Sequence, residues 1–561
     1  MKKRLFLVLL GLLPCLLFAQ PFSAPLHSPA EQIAERWLIL RQANSAIHPE
    51  LKGYSGKDLA LLADSLSHSG TRLDQADRNY VANQFNEWSQ DSFFTKKPLL
   101  RHFFKTPAHF FELTKYGKDS KSHPVLSLRL NPVLHVKAGK DRLQDDPIYQ
   151  NLRGVELRAV IDEKVFFYTH FVEYQANFPE YVNRWTSQYR AVPGAGWYKS
   201  FQSQFIDQLS GRDVNIANAS VGFMATKHIG IQLGHGTHFI GNGHRSLFLS
   251  GFAPPGLFLQ FDTRIWKFQY RNLFLELSPT TANSGVQGLL PKKYAAIHYL
   301  NYQVNPRLAF GLFEGTVFHR SAQFELQYLN PAILYRSIEG NLGSPDNVLI
   351  GLDGRWNVVK GVQVYGQLLL DEFKMSELLA RNGWWANKYA IQAGAKYLNA
   401  FGVDHLDLQV EWNSARPYTW SHSDSLNSFT HFNHPLAHPL GANFKELIGI
   451  IRWQPAPNWN ITARYLHMVG GDDPSGKNFG TNPLRSYRYR VQEYNNYIGQ
   501  GIASTTQLLG LDLSWQFYRN TYLDFSVLLR NKKSDSTVLS LESQLISGGL
   551  RMNIWTPNND F

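Results

Sequence analysis

Two periodicities divide the chain. From Ser28 to about residue 90, apolar side chains recur at helical spacing; after Val125 they alternate with polar ones. The first part predicts three short amphipathic helices, each opened by a cap. Ser28-Pro29-Ala30-Glu31 places a hydroxyl at N-cap, Pro at N1 and Glu at N3, ahead of Ile33, Trp37, Leu38 and Leu40. Ser55-Gly56-Lys57-Asp58 opens a second helix with Leu59, Leu62, Ala63 and Leu66. Thr71-Arg72-Leu73-Asp74 opens a third with Tyr80, Val81, Phe85 and Trp88. Their apolar stripes need one another, which predicts a small bundle acting as a periplasmic domain or plug. Residues 91–122 are mixed and basic and serve as a linker.

In the second part Leu406, Leu408, Val410 and Trp412 alternate with His405, Asp407, Gln409 and Glu411. Leu509 to Phe517 and Trp459 to Tyr465 repeat the pattern. One apolar and one polar face over ~10 residues is the signature of a membrane barrel strand. Tight turns are expected near Asp162-Glu163, Ala225-Lys227, Trp266-Phe268, Asn305-Pro306, Val359-Gly361, Asn399-Gly402, Pro455-Asn458 and Tyr518-Asn520. Longer connections fall between them, at 139–151, 178–214, 236–256, 278–294, 315–346, 371–386, 413–445, 469–506 and 531–539. Short periplasmic turns alternating with long outer loops give this rhythm, and the tally is about 18 antiparallel strands. Arg464, Gln363, Gln367 and Gln409 fall on the inward face, so the lumen is expected to be narrow or blocked.

Lys2-Lys3-Arg4 and the apolar run Leu5 to Phe18 predict a secretory signal peptide cut after Ala19. The expected division is therefore a leader at 1–19, a helical domain and linker at 20–122, and a barrel at 123–561. Cys15 is the only cysteine, so the mature chain is expected to have no disulfide and no thiol chemistry. No later stretch supplies the ~20 apolar residues of a spanning helix, so a membrane location requires strands. The net charge of +12 favours an anionic partner, lipopolysaccharide or an acidic glycan, rather than nucleic acid behind a leader.

One stretch carries more than periodicity. His235-Gly236-Thr237-His238 leads to Gly241-Asn242-Gly243, then His244-Arg245, then Ser246-Leu247-Phe248-Leu249-Ser250 and Ala253-Pro254-Pro255. The glycines beside Asn242 allow a sharp turn with φ > 0. Leu247 and Leu249 oppose Ser246, Phe248 and Ser250, and the prolines end the ladder. A His, a Gly-x-Gly turn, Ser-Leu-x-Leu-Ser and Ala-Pro resemble the signature of the Wzi family of capsule-assembly outer-membrane proteins, in the branch that includes the gliding-motility protein RemB. The chain departs by carrying Phe239-Ile240 where other members carry two tryptophans. The resemblance extends over most of the chain after residue 125, including Pro435 to Asn443. It implies a barrel in a Gram-negative outer membrane that handles surface polysaccharide, with His235, Gly241, Gly243, His244, Arg245, Ser246 and Ser250 as its signature residues.

The long loops hold the other candidates. In 469–506, Arg485, Arg488 and Arg490 interleave with Tyr487, Tyr489, Tyr494 and Tyr497, pairing guanidinium forks with faces on which sugar rings stack. Trp420, with His422, His431, His434 and His438, lies in 413–445, and Arg184 and Trp185 in 178–214. Those histidines lack a compact ligand spacing, and Asp472-Asp473 is only a slight calcium signal, so neither metal nor cofactor is expected. No catalytic motif occurs; Asp407 and Glu411 share a strand face as lumen-lining carboxylates. The expected fold is an all-β transmembrane barrel with a small N-terminal helical bundle. The expected role is non-catalytic binding or organising of surface polysaccharide or lipopolysaccharide, amid outer-membrane lipid. A RemB-type motility or adhesion component and a diffusion porin are the alternatives.

Overall fold

The computed structural model describes residues 23–41, 47–66, 70–88, 109–116, 124–202, 210–281, 288–320, 323–332, 334–343, 346–554 and 559–561. The expected leader lies outside them. Three helices, Pro29–Arg41, Gly56–Ser65 and Arg72–Gln84, form where the caps predicted. The Ser55 hydroxyl accepts the Asp58 N–H at 3.1 Å, and Thr71 and Asp74 complete a reciprocal box. At the first helix only half of the box forms: the Ser28 hydroxyl accepts the Glu31 N–H at 3.4 Å, but the Glu31 carboxylate accepts from the N–H groups of His27 and Gly53 instead of Ser28.

Twenty strands share one antiparallel sheet. Phe111–Tyr116 and Lys199–Gln202 are short additions, and the rest make a closed barrel of eighteen. Leu134–Asp141 of the first barrel strand pairs with Leu545–Met552 of the last and closes the ring. All eight expected tight turns lie at one end and all nine longer connections at the other. No described helix is long and apolar enough to cross a membrane; the strands do so instead.

Parity along the strands decides what each side meets. Val410, Leu509, Leu511 and Tyr465 point out and are exposed, whereas Asp407, Gln409, Glu411 and Arg464 point in and are buried. Near the short turns, Trp266, Trp356, Trp453, Trp459, Trp515 and Phe517 face outward as an aromatic belt. A closed barrel with an apolar outer band and such a belt belongs to the outer membrane of a Gram-negative cell.

The helices seal the short-turn end. Arg36 pairs with Asp407, Lys396 with Glu35 at 3.0 Å, Arg355 with Glu50 at 2.7 Å and Arg264 with Asp58 at 3.0 Å. Trp37, Leu59, Leu62, Val81 and Phe85 pack together with Val160 and Phe166 of the wall.

Of connection 319–346, residues 323–332 and 334–343 lie along the outside of the wall. Asn272, His298 and Glu314 are register partners on the outward face, where bare polar groups would meet lipid. Tyr335 stacks on His298 with centroids 4.0 Å apart, the Arg336 N–H reaches Glu314 at 3.3 Å, and Asn272 donates to the Pro331 carbonyl at 3.4 Å. The loop therefore covers a polar row on the membrane face.

Candidate functional site

The signature stretch leaves the wall at Gly236 and enters the lumen rather than the outside. Of the expected alternating strand Ser246–Ser250, only Leu249–Ser250 pairs, with Phe239–Ile240, and Leu247, Phe248 and Leu249 are all buried instead of alternating. The Gly241 N–H donates to the Glu50 carbonyl at 2.7 Å, and Leu51 bridges Ile240, so the signature is tied to the helical segment. Leu247, Phe248 and Leu249 join Leu273, Phe313, Trp420, Phe429 and Leu436 in an apolar cluster across the lumen, with Phe248 stacked on Phe313 at 4.5 Å. The lumen, expected to be narrow or blocked, is plugged chiefly by the loops that fold into it rather than by the inward-facing wall residues.

Between the apolar cluster and the wall runs an ionic network. Arg245 donates to Asp560 Oδ1 at 2.8 Å and to Glu446 Oε1 at 3.1 Å. Glu411 accepts the backbone N–H groups of His244 at 2.6 Å and Arg245 at 3.0 Å, and the Tyr365 hydroxyl at 2.8 Å. His244 Nε2 lies 3.0 Å from Asp560, and His438 Nε2 2.9 Å from Glu446. Two buried anions hold the Arg245 guanidinium protonated, and Arg245 and His244 hold the Asp560 carboxyl well below its ordinary range. Gln367 clasps the turn, donating to the Ile240 carbonyl at 3.0 Å and accepting the Leu247 N–H at 2.8 Å.

The two signature glycines do different work. Gly241 adopts φ 144°, and a Cβ there would lie 2.6 Å from Gln367 Nε2. Gly243 does not take the expected positive φ; it is needed for space, since a Cβ would stand 2.5 Å from Glu411 Oε2 and 2.6 Å from the Arg245 carbonyl. Ser246 is buried, donating to the Ile240 carbonyl and accepting the Phe248 N–H at 3.1 Å, and Ser250 donates to the Leu436 carbonyl at 3.4 Å. His235 alone faces outward, its Nδ1 2.8 Å from the Ala217 carbonyl.

The predicted glycan-facing residues separate into two groups. Trp420 is 0 % exposed in the plug and cannot reach a surface ligand from there, because loop 416–443 folds inward over Phe444 and Leu436. Trp185 packs on Tyr189, Phe252 and Phe561 at the plug's edge, and Arg184 is spent on Glu180 at 2.9 Å and the Val538 carbonyl. His431, His434 and His438 are also buried, and burial lowers all three below the usual histidine value, His431 to about 3 and His434 to about 4. Residues 473–501, by contrast, stay outside. There Arg490 stacks on Trp385 at 4.4 Å and pairs with Glu493 at 2.5 Å, while the indole N–H groups of Trp384 and Trp385 both donate to Glu493. Tyr487 packs on Trp385 at 4.6 Å, and Arg485 leans on Asp473 at 3.6 Å. This buttress leaves Arg488, Tyr489, Tyr494 and Tyr497 exposed, Tyr489 by 78 % and Tyr497 by 63 %.

Glu446, Asp560 and Glu50 were not among the predicted residues, and Gln367 was expected only as an inward-facing lumen residue. Of the first three, Glu446 carried a signal, as the one acid on the inward row Phe444, Glu446, Ile448, Ile450. Asp407 and Glu411 serve separate contacts, Arg36 and the signature turn, not a shared catalytic centre.

No family model matches the sequence, and no curated protein matches it. Among solved structures the chain is similar to Wzi of Escherichia coli, described as an outer membrane protein involved in group 1 capsule assembly and a carbohydrate-binding β-barrel. The TM-score is 0.58 at 12% identity, over 96% of this chain and 100% of that one. OprD of Pseudomonas aeruginosa aligns over 76% of this chain and 94% of that one, with TM-score 0.42 and 11% identity. The first likeness bears out the fold that the resemblance implied.

Proposed function

We propose that this chain is a non-catalytic outer-membrane barrel that binds surface polysaccharide on its long-loop face, with the short turns and helices in the periplasm. The observation that carries this reading is the buttressed loop 473–501. Arg490, Trp384, Trp385 and Glu493 fix its base, and Arg488, Tyr489, Tyr494 and Tyr497 project from it. Rigid aromatic faces lose little entropy when a sugar stacks on them, and an adjacent guanidinium selects acidic residues. The capsule-assembly fold neighbour, a carbohydrate binder by its description, supports the same class of ligand. A diffusion channel needs an open lumen, and the plug fills this one.

The test is retention of the strain's own polysaccharide by cells carrying the parent chain or the variant Arg488→Ala/Tyr489→Ala/Tyr497→Ala. The variant is expected to assemble normally and to shed polysaccharide. Retention equal to the parent's would overturn the assignment.

A further inference from the structure

The helical seal leaves one sector of the short-turn end open. The helices reach the wall on either side of it, at Lys396, His405 and Asp407 and at the turn Arg519-Asn520. Among the described residues none of their hydrogen bonds or ion pairs falls on the turn between, Pro455 to Asn458. Inward-facing side chains stop being buried there. Asn357 and Gln363, near another short turn, are enclosed. Gln454, Thr462, Ser514 and Gln516 are half-buried, and Asn460, the register partner of Ser514, is exposed. An exposed side chain on the lumen face marks an opening to solvent at that end.

Across the opening stands the third helix, Arg72–Gln84. Asn79 and Asn83, four residues apart on one face, line the same cavity as Asn460, and among the described residues neither amide has a hydrogen-bond partner. The mouth is therefore uncharged, built from amides and hydroxyls.

Behind the mouth lies a chamber of about 980 Å³, within the size of small-molecule sites, with Gly243, His244 and Asp560 of the plug among its lining residues. Its wall carries two guanidinium groups. Arg464 lies over its register partner Gly510, where a Cβ would stand 3.3 Å from Nη2. Arg464 is 5 % exposed and gives one N–H to Asp512 at 2.6 Å. Its Nε and Nη1 have no hydrogen-bond acceptor; the Asp560 carboxylate stands 3.6 Å from Nη1. Arg452 pairs with Thr462, so it is the diagonal neighbour of Arg464 on the next strand. It donates to Gln409 Oε1 at 2.9 Å, and among the described residues no carboxylate lies within ion-pair distance of it. The carboxylates nearby have other cations: Asp407 has Arg36, Asp524 has Arg551 at 2.7 Å, and Asp560 has Arg245 at 2.8 Å. Two like charges in a low-dielectric enclosure repel, and an anion shared by both relieves the repulsion.

We propose that this chamber is a periplasm-facing site for a sugar that carries a carboxylate or a phosphate, its charged group on Arg452 and Arg464 and its hydroxyls on the mouth. Amides donate and accept hydrogen bonds, as sugar hydroxyls do. The proposal goes beyond the outer-loop reading and shares with it only the orientation of the barrel.

Calorimetric titration of the purified full chain with glucuronate, glucose 6-phosphate, glucose and sulfate tests it. At least one acidic sugar is expected to bind more tightly than glucose and sulfate, and the tighter of the two identifies the charged group. Binding of neither overturns the site, and sulfate binding as tightly as both overturns its assignment to a sugar. Arg452→Gln is expected to weaken binding about ten-fold, the loss of a charge-assisted contact, at the parent's unfolding midpoint; unchanged affinity overturns the proposal. Asn460→Cys, at the exposed rim, keeps both arginines. A polymer-linked maleimide too large for porins is expected to label it only after the outer membrane is breached, and the acidic sugar to slow that labelling. Labelling on intact cells, or no protection, overturns the proposal. The outer-loop variant Arg488→Ala/Tyr489→Ala/Tyr497→Ala is expected to bind the acidic sugar as the parent does. If it does not, the sugar sits on the outer loop and the chamber assignment falls. If the parent binds no lipid-free polysaccharide while the acidic sugar still protects Asn460→Cys, the outer-loop reading falls and the chamber stands.

Discussion

Loop 237–255 and loop 473–501 both set arginine among glycines and aromatic residues, Arg245 alone in the first and Arg485, Arg488 and Arg490 in the second. The fold sends them to opposite places. In the first, Arg245 meets two carboxylates in the lumen and every signature residue but His235 is enclosed or half-enclosed. In the second, one arginine, Arg490, is held by Trp385 and Glu493, and its neighbour Arg488 is left exposed. An arginine with buried anionic partners is part of the architecture; one left over after the architecture is satisfied is available to a ligand. Replacing the first kind must damage assembly, and replacing the second must damage only binding.

The largest expected effect follows from Arg245→Ala. It removes the cation that Glu446 and Asp560 share, leaving Glu446 to His438 and Asp560 to His244 and a longer 3.6 Å contact with Arg464, and removing one partner of a buried pair costs about 3–5 kcal/mol. The barrel's heat-modifiable band on gels is expected to collapse at lower temperature or not to form, whereas Arg488→Ala stays within about 0.5 kcal/mol of the parent. Equal behaviour of the two variants would erase the distinction.

Next come the glycines. Gly243→Ala must push Glu411 or the Arg245 carbonyl aside, an overpacking cost of about 1–3 kcal/mol, and Gly241→Ala adds strain at its φ of 144°. Urea titration of the purified barrel, followed by tryptophan fluorescence, should show both losses.

A smaller effect is expected from pH. Burial lowers His238 to about 3, His431 to about 3 and His434 to about 4 in the folded plug, against 6.5 when free. The unfolded loops therefore bind more protons than the folded ones below pH 6.5, so their stabilisation is complete above that pH and is lost as pH falls toward 4. Hydrogen exchange at Phe239, Gly241 and Leu247 should accelerate between pH 7 and 4.5, with residues 473–501 little changed after correction for intrinsic rates.

Much of the fold was legible because barrel physics is written locally. Period-two strands, turn chemistry at Asp162-Glu163 and the caps at Ser55 and Thr71 each need only near neighbours. The direction of a loop is not local. Its length at 236–256 and 413–445 announced a long connection, but its inward course depends on Glu50, Gln367 and Asp560, and Asp560 lies 315 residues from its partner Arg245. Trp420 was misplaced for that reason: a loop tryptophan suggests a surface platform until the loop is seen to fold inward. The outer wall hid a similar surprise, since Asn272, His298 and Glu314 break the apolar face and are made tolerable by a loop arriving from residues 323–343.

The smallest expected effect on stability is the most informative about function. Purified barrel, parent and Arg488→Ala/Tyr489→Ala/Tyr497→Ala, is titrated with the strain's lipid-free acidic polysaccharide at 50 mM and about 500 mM salt, where screening lengths differ roughly threefold. The parent is expected to bind, more weakly at high salt, and the variant to lose most affinity at low salt while keeping the parent's unfolding midpoint. A variant that binds as the parent does at both salt concentrations would contradict the assignment of the outer loop as the polysaccharide site.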